Sequence, residues 1–446
     1  MRSDRYDNEE TNTNAHQAKH EKSGQREKHA RQDKPEKREK PKKKHGALRT
    51  VLLIILVLLL AIAGTVAYFY KSASDSLAVD FTDDTPSVEF GGEYDAMDYV
   101  KDSDGEVSPS VVHLDAETTG EKHVTYTVTK PVLGGLLNPT KEFTLNYTVT
   151  DSVDPMMIWS GNGAVLEKGT AFDINNVIAY GDNADPEPKV KVDGEVNMDE
   201  TGSYPLHVTV TDASGNKTEW DLTVEVAESL PSYEDTSERT AFGDFVKEYK
   251  GDGKTFGIDV SAWQDEIDFK AVKEAGCEFV MIRIGYGAGN EVDIDKQFKR
   301  NIKGAKEAGL KVGVYFYSYD NLEESVRTSA DWIIKTLDEV ELDLPVAFDW
   351  EDFTSFQTYK MSFADLNKLY DAFADELASA GYNCMLYGSK VYLENVWEET
   401  DTRTVWLAHY TKNTDYEGPY MIWQASCTGR IDGIDGDVDM DIMFEN

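Results

Sequence analysis

Leu344-Pro345-Val346-Ala347-Phe348-Asp349-Trp350-Glu351-Asp352 is an apolar run that ends abruptly in carboxylates. Read as a strand, it puts Asp349 and Glu351 on one face, roughly 6.5–7 Å apart along the chain. Two carboxyl groups so placed can flank one scissile bond, one as proton donor and one as charge stabiliser. The plainer reading is a strand running out into a solvated acidic turn. The residues on either side have to choose between the two.

Outward from this stretch, strand and helix patterns alternate. Residues 256–263, 279–286 and 311–319 read as three earlier strands. Asp268 is placed to cap a helix carrying Phe269 and Val272. Further helical stripes are Phe298, Ile302, Ala305 and Ala308, then Val326, Ala330, Ile333 and Leu337, then Phe363, Leu366, Tyr370, Phe373 and Leu377. Gly309 and Gly381 stop the first and last of these. Beyond them, residues 384–388, 404–410, 420–425 and 438–444 read as strands separated by loops. Eight strands with helices prominent only early predict an α/β fold, a modified (β/α) TIM-like barrel with few late helices. An open doubly wound sheet is the alternative.

Charge divides the chain. It has 446 residues with 45 basic and 83 acidic side chains, yet residues 1–50 carry a net +6 and the remainder −44. So acidic a body argues against nucleic acid as a partner, since phosphates need Lys and Arg to replace their counterions. Residues 1–49 are polar and predict a disordered tail. The run at 51–70 has no charge, and twenty helical residues reach about 30 Å, the thickness of a bilayer core. Lys42, Lys43, Lys44 and Arg49 precede it, which keeps the amino terminus cytoplasmic, and the basic tail is expected to lie against anionic membrane lipid. A cleaved signal peptide competes with this reading; the long preceding tail favours a retained anchor. Cys277, Cys384 and Cys427 show no metal-ligand spacing, and no cofactor is expected.

Between anchor and barrel the chain alternates with a period of two and repeats itself. Thr119-Gly120 followed by 124–129 matches Thr201-Gly202 followed by 206–211, and Phe143, Leu145, Tyr147 and Val149 match Trp220, Leu222, Val224 and Val226. Two copies of one all-β sandwich follow. The second, with Gly215-Asn216 in a turn, resembles bacterial immunoglobulin-like surface repeats and reads as a spacer. The expected order is a basic cytoplasmic tail (1–49), a transmembrane helix (50–70) and a juxtamembrane linker (71–79). Two immunoglobulin-like sandwiches (80–152 and 153–227), a second linker (228–253) and the barrel (254–446) complete it.

A barrel of this kind works at the carboxyl ends of its strands. Those ends carry Asp259 and Trp263; Tyr315 and Tyr317; Asp349 and Glu351; Trp406 and Tyr410; Trp423 and Gln424; and Asp439 with Asp441. Carboxylates converging with Tyr and Trp suit a sugar cleft. Which way the Tyr315 and Tyr317 face looks, into the cleft or onto helices, stays open. Trp350 points opposite to its neighbours and reads as packing. The acidic run Asp435, Asp437, Asp439 and Asp441 lacks the glycine and terminal glutamate of a helix-loop-helix calcium site, so no metal is read there.

In order along the chain stand Gly-Ile-Asp-Val-Ser-Ala-Trp-Gln, Gly-Val-Tyr-Phe-Tyr-Ser, Phe-Asp-Trp-Glu, Trp-Leu-Ala-His-Tyr, Ile-Trp-Gln and Val-Asp-Met-Asp. Together these resemble glycoside hydrolase family 25, the Chalaropsis-type lysozymes, over residues 254–446. The resemblance implies cleavage of the β-1,4 bond from N-acetylmuramic acid to N-acetylglucosamine in peptidoglycan. It implies Glu351 as general acid/base, Asp349 as its charge-stabilising partner, and Asp259 and Asp439 as further acidic site residues. Tyr315, Tyr317, Trp406, Tyr410, Trp423 and Gln424 are the expected substrate-binding residues. The expected protein is a hydrolase on the outer face of a Gram-positive cell membrane, with peptidoglycan strands as its partner. Spacing leaves a covalent intermediate, N-acetyl participation and inversion all open, with N-acetyl participation the working expectation. Two alternatives are a chitinase-like glycosidase, which lacks its Asp-Gly-x-x-Asp run here, and a non-catalytic peptidoglycan-binding surface protein on an inactive barrel.

Overall fold

The computed structural model describes residues 45–232, 235–338, 340–398 and 402–445, so the tail up to residue 44 lies outside the described residues. The chain separates into two compact units, with the division at Lys71. Helix His45–Asp75 contains the uncharged run and extends it at both ends. Within Gly46–Asp75 an 18-residue window has a mean hydropathy of 2.9, and none of that window is buried in protein. By length and composition it is a candidate membrane span.

The second unit begins with two small sandwiches built on one plan. In the first, Gly120–Thr129 and Thr140–Thr150 form a long antiparallel hairpin flanked by Ser87–Glu89 and Glu106–Pro109. In the second, Gly202–Thr211 and Lys217–Ala227 do the same between Lys189–Asp193 and Ala164–Glu167. Gly120 lies opposite Val149, and Gly202 opposite Val226, so the repeat read from the sequence is a repeat of register. Each hairpin buries alternate residues, Val124, Tyr126 and Leu145 in one copy and Leu206, Val208 and Leu222 in the other. A two-stranded sheet completes each copy, Val79–Phe81 with Val100–Ser103 and Met156–Ser160 with Ile178–Gly181.

The last domain is a closed barrel of eight strands: β1 (Lys254–Val260), β2 (Phe279–Ala288), β3 (Lys311–Ser318), β4 (Val346–Asp349), β5 (Cys384–Ser389), β6 (Val405–Ala408), β7 (Ile422–Arg430) and β8 (Val438–Phe444). Strands β1 to β7 run parallel to their neighbours. Strand β8 closes the barrel antiparallel to both β7 and β1, a departure from the all-parallel arrangement. Phe279, Met281, Tyr315, Ala347, Met385 and Trp406 fill the interior. Their alternates Val280, Ile282, Val314, Phe348 and Leu407 meet the outer layer.

Helices Phe269–Glu274, Phe298–Glu307, Glu323–Leu337 and Phe363–Ser379 cover the early strands, and a short helix Lys390–Asn395 follows β5. Asp268 caps the first by accepting from Lys270 N and Ala271 N. Among the described residues no helix follows β6 or β7. Part of the segment read as a linker does that work instead. Thr240–Ala241 pairs with β7, and helix Phe242–Tyr249 buries Phe242 and Phe245 in the barrel's outer core. Strand faces without a covering helix would expose apolar side chains, and this helix removes that cost.

The second sandwich packs on the barrel directly. Ile158 and Ala179 belong to the barrel's outer core. Phe363 N donates to Asp182 O at 2.8 Å, and Gln357 Nε2 donates to Asn175 O and Ile178 O. Gly181 sits where a Cβ would come within 2.6 Å of Phe363 and 2.8 Å of Phe356. Gly181→Ala therefore forces two packed rings apart and is expected to cost about 1–3 kcal/mol. The check is an earlier onset of thermal unfolding in the full chain.

Candidate active site

Alternation along the strands turns Asp259, Asp349, Asp439 and Asp441 towards the barrel interior, with Gln424, Tyr387 and Tyr315. The reversed direction of β8 matters here. Its beginning, not its end, lies beside the carboxyl end of β1, so Asp439 stands opposite Asp259 and Asp441 opposite both Gly257 and Gln424. Gln424 ties the rim together. Its Nε2 donates to Asp259 Oδ2 at 2.7 Å, and its Oε1 accepts from Tyr387 at 2.9 Å and Tyr410 at 2.8 Å. Trp406 Nε1 donates to Asp441 Oδ1 at 2.8 Å.

Strand β4 ends at Asp349, so Glu351 is not on the strand but opens the loop into the 3-10 helix Phe353–Thr358. The residue between them is an anchor. Trp350 is fully buried, its ring 4.9 Å from Phe353, 5.3 Å from Tyr359 and 5.8 Å from Phe356. Its Nε1 donates to Asp320 O at 3.0 Å. Asp320 is itself buried and accepts from Ser318, Ser325, Ser329 and Gly289 N. A buried indole with its donor satisfied leaves the backbone little freedom, so Glu351 is presented from a stiff support.

Burial governs the electrostatics. Glu351 reaches solvent at the rim, yet desolvation by the surrounding protein raises it from an ordinary 4.5 to about 7, with the charge of Asp439 adding to it. Desolvation raises Asp439 to about 6, helped by Asp437. Burial also lifts Asp259 and Asp441 well above the carboxylate range, each opposed by the other acids. Asp349 is lifted by burial and by Glu351, but the guanidinium of Arg283 pulls it back down. Arg283 is held by Asp295, Nε to Oδ2 at 2.9 Å. Like charges so close cannot all ionise. A proton on Glu351 removes the repulsion on Asp349 and leaves the attraction of Arg283, which favours the protonated-Glu351, ionised-Asp349 pair.

A cavity of about 620 Å³ is lined by Trp263, Arg283, Tyr286, Tyr317 and Tyr319 among others; none of the five acids lines it, and Arg283 and Tyr317 are its links to them. Trp263 is 83% exposed, and Tyr410 is 54% exposed. Burial first, then Glu351 and Asp349 among others, raise the hydroxyls of both Tyr317 and Tyr387. A larger cavity, about 730 Å³, is lined by Leu344, Asn383, Thr404 and Met421 at the opposite ends of the strands and contains none of these acids.

The sequence-expected residues fall into three groups. Asp259, Asp349, Glu351, Asp439, Gln424, Tyr317 and Tyr410 gather at the rim. Tyr315 and Trp406 face the interior but are buried beneath it, ring to ring at 5.9 Å. Trp423 points the other way: it packs against Tyr249 on the outside and donates to His409 O, because its neighbour Gln424 takes the inward position. Arg283 and Tyr387 are additions to the expected set, while Asp441, expected only as a strand-end acid without a role, pairs with the Trp406 indole. Arg283 left a signal, a lone charge inside the apolar run Phe-Val-Met-Ile-Arg-Ile.

Residues 258–434 match the family model for Glycosyl hydrolases family 25. The barrel is a family 25 glycosyl hydrolase domain. Residues 158–226 match the bacterial surface protein Ig-like domain. The autolytic lysozyme of Clostridium acetobutylicum is 31% identical over 191 residues, 42% of this chain and 56% of that protein. Lysozyme M1 of Streptomyces globisporus is 28% identical over 196 residues, 41% of this chain and 65% of that protein. The chain thus spans less than two thirds of either relative's length. A solved family 25 glycosyl hydrolase from Bacillus anthracis is 20% identical with a TM-score of 0.38, covering 44% of this chain and 93% of that one.

The raised acids of the family 25 domain carry a stability consequence. A carboxyl whose folded pKa lies above its unfolded value binds its proton more tightly in the folded state. Glu351 therefore stabilises fully below about 4.5, and that contribution is lost as pH rises to about 7. Glu351→Gln stays neutral and is expected to melt higher than wild type at pH 8, with the gap closing by pH 4. Paired melting curves check it.

Proposed function

We propose that this protein is a muramidase that cleaves the β-1,4 bond from N-acetylmuramic acid to N-acetylglucosamine in peptidoglycan. The observation that carries this is the pairing of Glu351, with its proton held to about pH 7, and Asp349, whose neighbour Arg283 also lines an aromatic cavity. The family 25 match and the two lysozymes named above support the substrate class. Glu351 gives its proton to the glycosidic oxygen as the C1–O bond breaks, and the leaving sugar departs with a new hydroxyl. Positive charge grows on the anomeric carbon, and the Asp349 carboxylate offsets it. The carbonyl oxygen of the substrate's own N-acetyl group closes on C1, with Asp349 stabilising the charged ring so formed. Glu351, now a carboxylate, takes a proton from the water that opens that ring, which restores the acid and retains the anomeric configuration. Trp263 and Tyr410, exposed at the rim, offer faces for stacking sugar rings, with Tyr317 and Gln424 as polar contacts. Desolvation first, then the charge of Asp439, keeps Glu351 protonated, and Asp259 shapes the site from the end of β1.

In the same reading, helix His45–Asp75 anchors the enzyme with its amino terminus in the cytoplasm and the sandwiches and barrel outside. The basic tail lies against anionic lipid, and the module boundaries are those expected from the sequence, save that helix Phe242–Tyr249 joins the barrel.

The full chain in detergent, incubated with purified peptidoglycan, is expected to release muramic acid reducing ends. Glu351→Gln is expected to lower that rate by about 10²–10⁴. Wild-type kcat/KM should fall above about pH 7 as Glu351 loses its proton. Proton NMR of the first product should show the retained anomer; an inverted anomer rules out N-acetyl participation, and binding without release rules out the enzyme.

A further inference from the structure

A second group of acids meets away from the barrel rim. Asp151 opens the connector between the sandwiches, Asp182 follows strand Ile178–Gly181, and Asp212 follows strand Gly202–Thr211. All three are buried, and one carboxylate oxygen from each lies within 4.8 Å of the others. Their hydrogen bonds come from amides, which orient a carboxylate without neutralising it. Asp182 Oδ1 accepts from Ala184 N and Asp185 N at 2.9 and 2.6 Å. Asp212 Oδ1 accepts from Gly215 N and Asn216 N, and its Oδ2 accepts from Asn216 Nδ2 at 2.8 Å. Asp151 Oδ1 accepts from Val153 N and from Asn183 Nδ2 at 3.1 Å. Among the described residues no Lys, Arg or His forms an ion pair with any of the three.

Two oxygens at this place have no donor at all. Asp182 is only 1% exposed, and its Oδ2 accepts nothing. Asn183 Oδ1, on the same amide whose nitrogen reaches Asp151, is also buried and unpartnered. Buried acceptors left empty are rare and ask for an explanation. Burial lifts Asp182 to about 6, with the charges of Asp151 and Asp212 adding to it.

We propose that Asp151, Asp182 and Asp212 bind a hard divalent cation, Ca²⁺, at the seam where the two sandwiches join and the barrel docks. The donors are all oxygen, which suits Ca²⁺ and not the metals that select imidazole or thiolate. Three carboxylates with Asn183 Oδ1 supply a flexible oxygen set, and water completes it. Flexibility of this kind favours Ca²⁺ over Mg²⁺, which demands a near-ideal octahedron. The ligands come from three connectors, and the carbonyl of Asp182 itself accepts from Phe363 N of the barrel. One ion would thus hold three modules in register.

The test uses the full chain in detergent, stripped with EDTA and dialysed against CaCl₂ at physiological salt. One saturable Ca²⁺ per chain is expected, with a Kd of about 10⁻³ M or tighter, and a higher melting temperature in Ca²⁺ than in EDTA. MgCl₂ at the same concentration should give a smaller shift. Asp151→Asn and Asp212→Asn should weaken binding about tenfold or more, while Glu142→Gln, an exposed acid on the first sandwich, should leave it unchanged. Circular dichroism matched to wild type keeps misfolded variants out of the comparison, and the wild-type arms stand without them. No saturable binding, an identical melting temperature in Ca²⁺ and EDTA, or binding kept by both Asn variants overturns the proposal. Because these arms read binding and melting, their failure leaves the muramidase reading intact.

Discussion

Five carboxyl groups share the rim of one barrel: Asp259, Asp349 and Asp441 are buried, Asp439 is half-buried and Glu351 reaches solvent. All five are lifted by desolvation before any other influence. Like charges gathered at one rim oppose one another's ionisation, so the five cannot all ionise freely. The rim answers by spreading the acids over different partners. Gln424 serves Asp259, Trp406 serves Asp441, and the field of Arg283 reaches Asp349. Asp439 and Glu351 have no such partner, and of these two Glu351, raised to about 7, keeps its proton nearer neutrality. Its acidity belongs to the assembly more than to the residue.

That assembly depends on the direction of one strand. Were β8 parallel to its neighbours, its beginning would lie at the far end of the barrel, and Asp439 would sit there with it. Running antiparallel, it lays Asp439 beside Asp259 and lets Trp406 and Gln424 bracket Asp441. The same reversal closes the sheet after β7 without a crossover helix. The outer faces left uncovered are met by helix Phe242–Tyr249, so Trp423 and Tyr249 pack where a late barrel helix would otherwise have been needed.

Much of this is legible in residue order alone, because alternation marks strands and stripes mark helices whatever the tertiary setting. The eight strands, the Asp268 cap and the doubled hairpin register all follow from local periodicity. A period of two says nothing about which way a strand runs or which of its faces turns inward. That is why Trp423 was placed in the cleft and the reversal of β8 went unseen. Glu351 was expected on the strand with Asp349, whereas β4 stops one residue short of Trp350. The three seam acids sit in separate connectors with no motif to join them, and only folding brings them together.

The second sandwich cannot be only a spacer, because of what it touches. It contacts the barrel through Phe356, Gln357 and Phe363, the segment that begins just after Glu351. Glu351 is therefore held from two sides. On one, Trp350 is sunk among Phe353, Phe356 and Tyr359 with its indole nitrogen satisfied; on the other, Gln357 and Phe363 are hydrogen-bonded to the sandwich backbone. Lys360 adds an ion pair to Glu187 that is exposed and contributes little by itself. Catalytic carboxyls tolerate errors of only a fraction of an ångström, so a loop fixed at both ends is worth more to the chemistry than a stronger bond at one. The module read from the sequence as a spacer also braces the segment that follows Glu351.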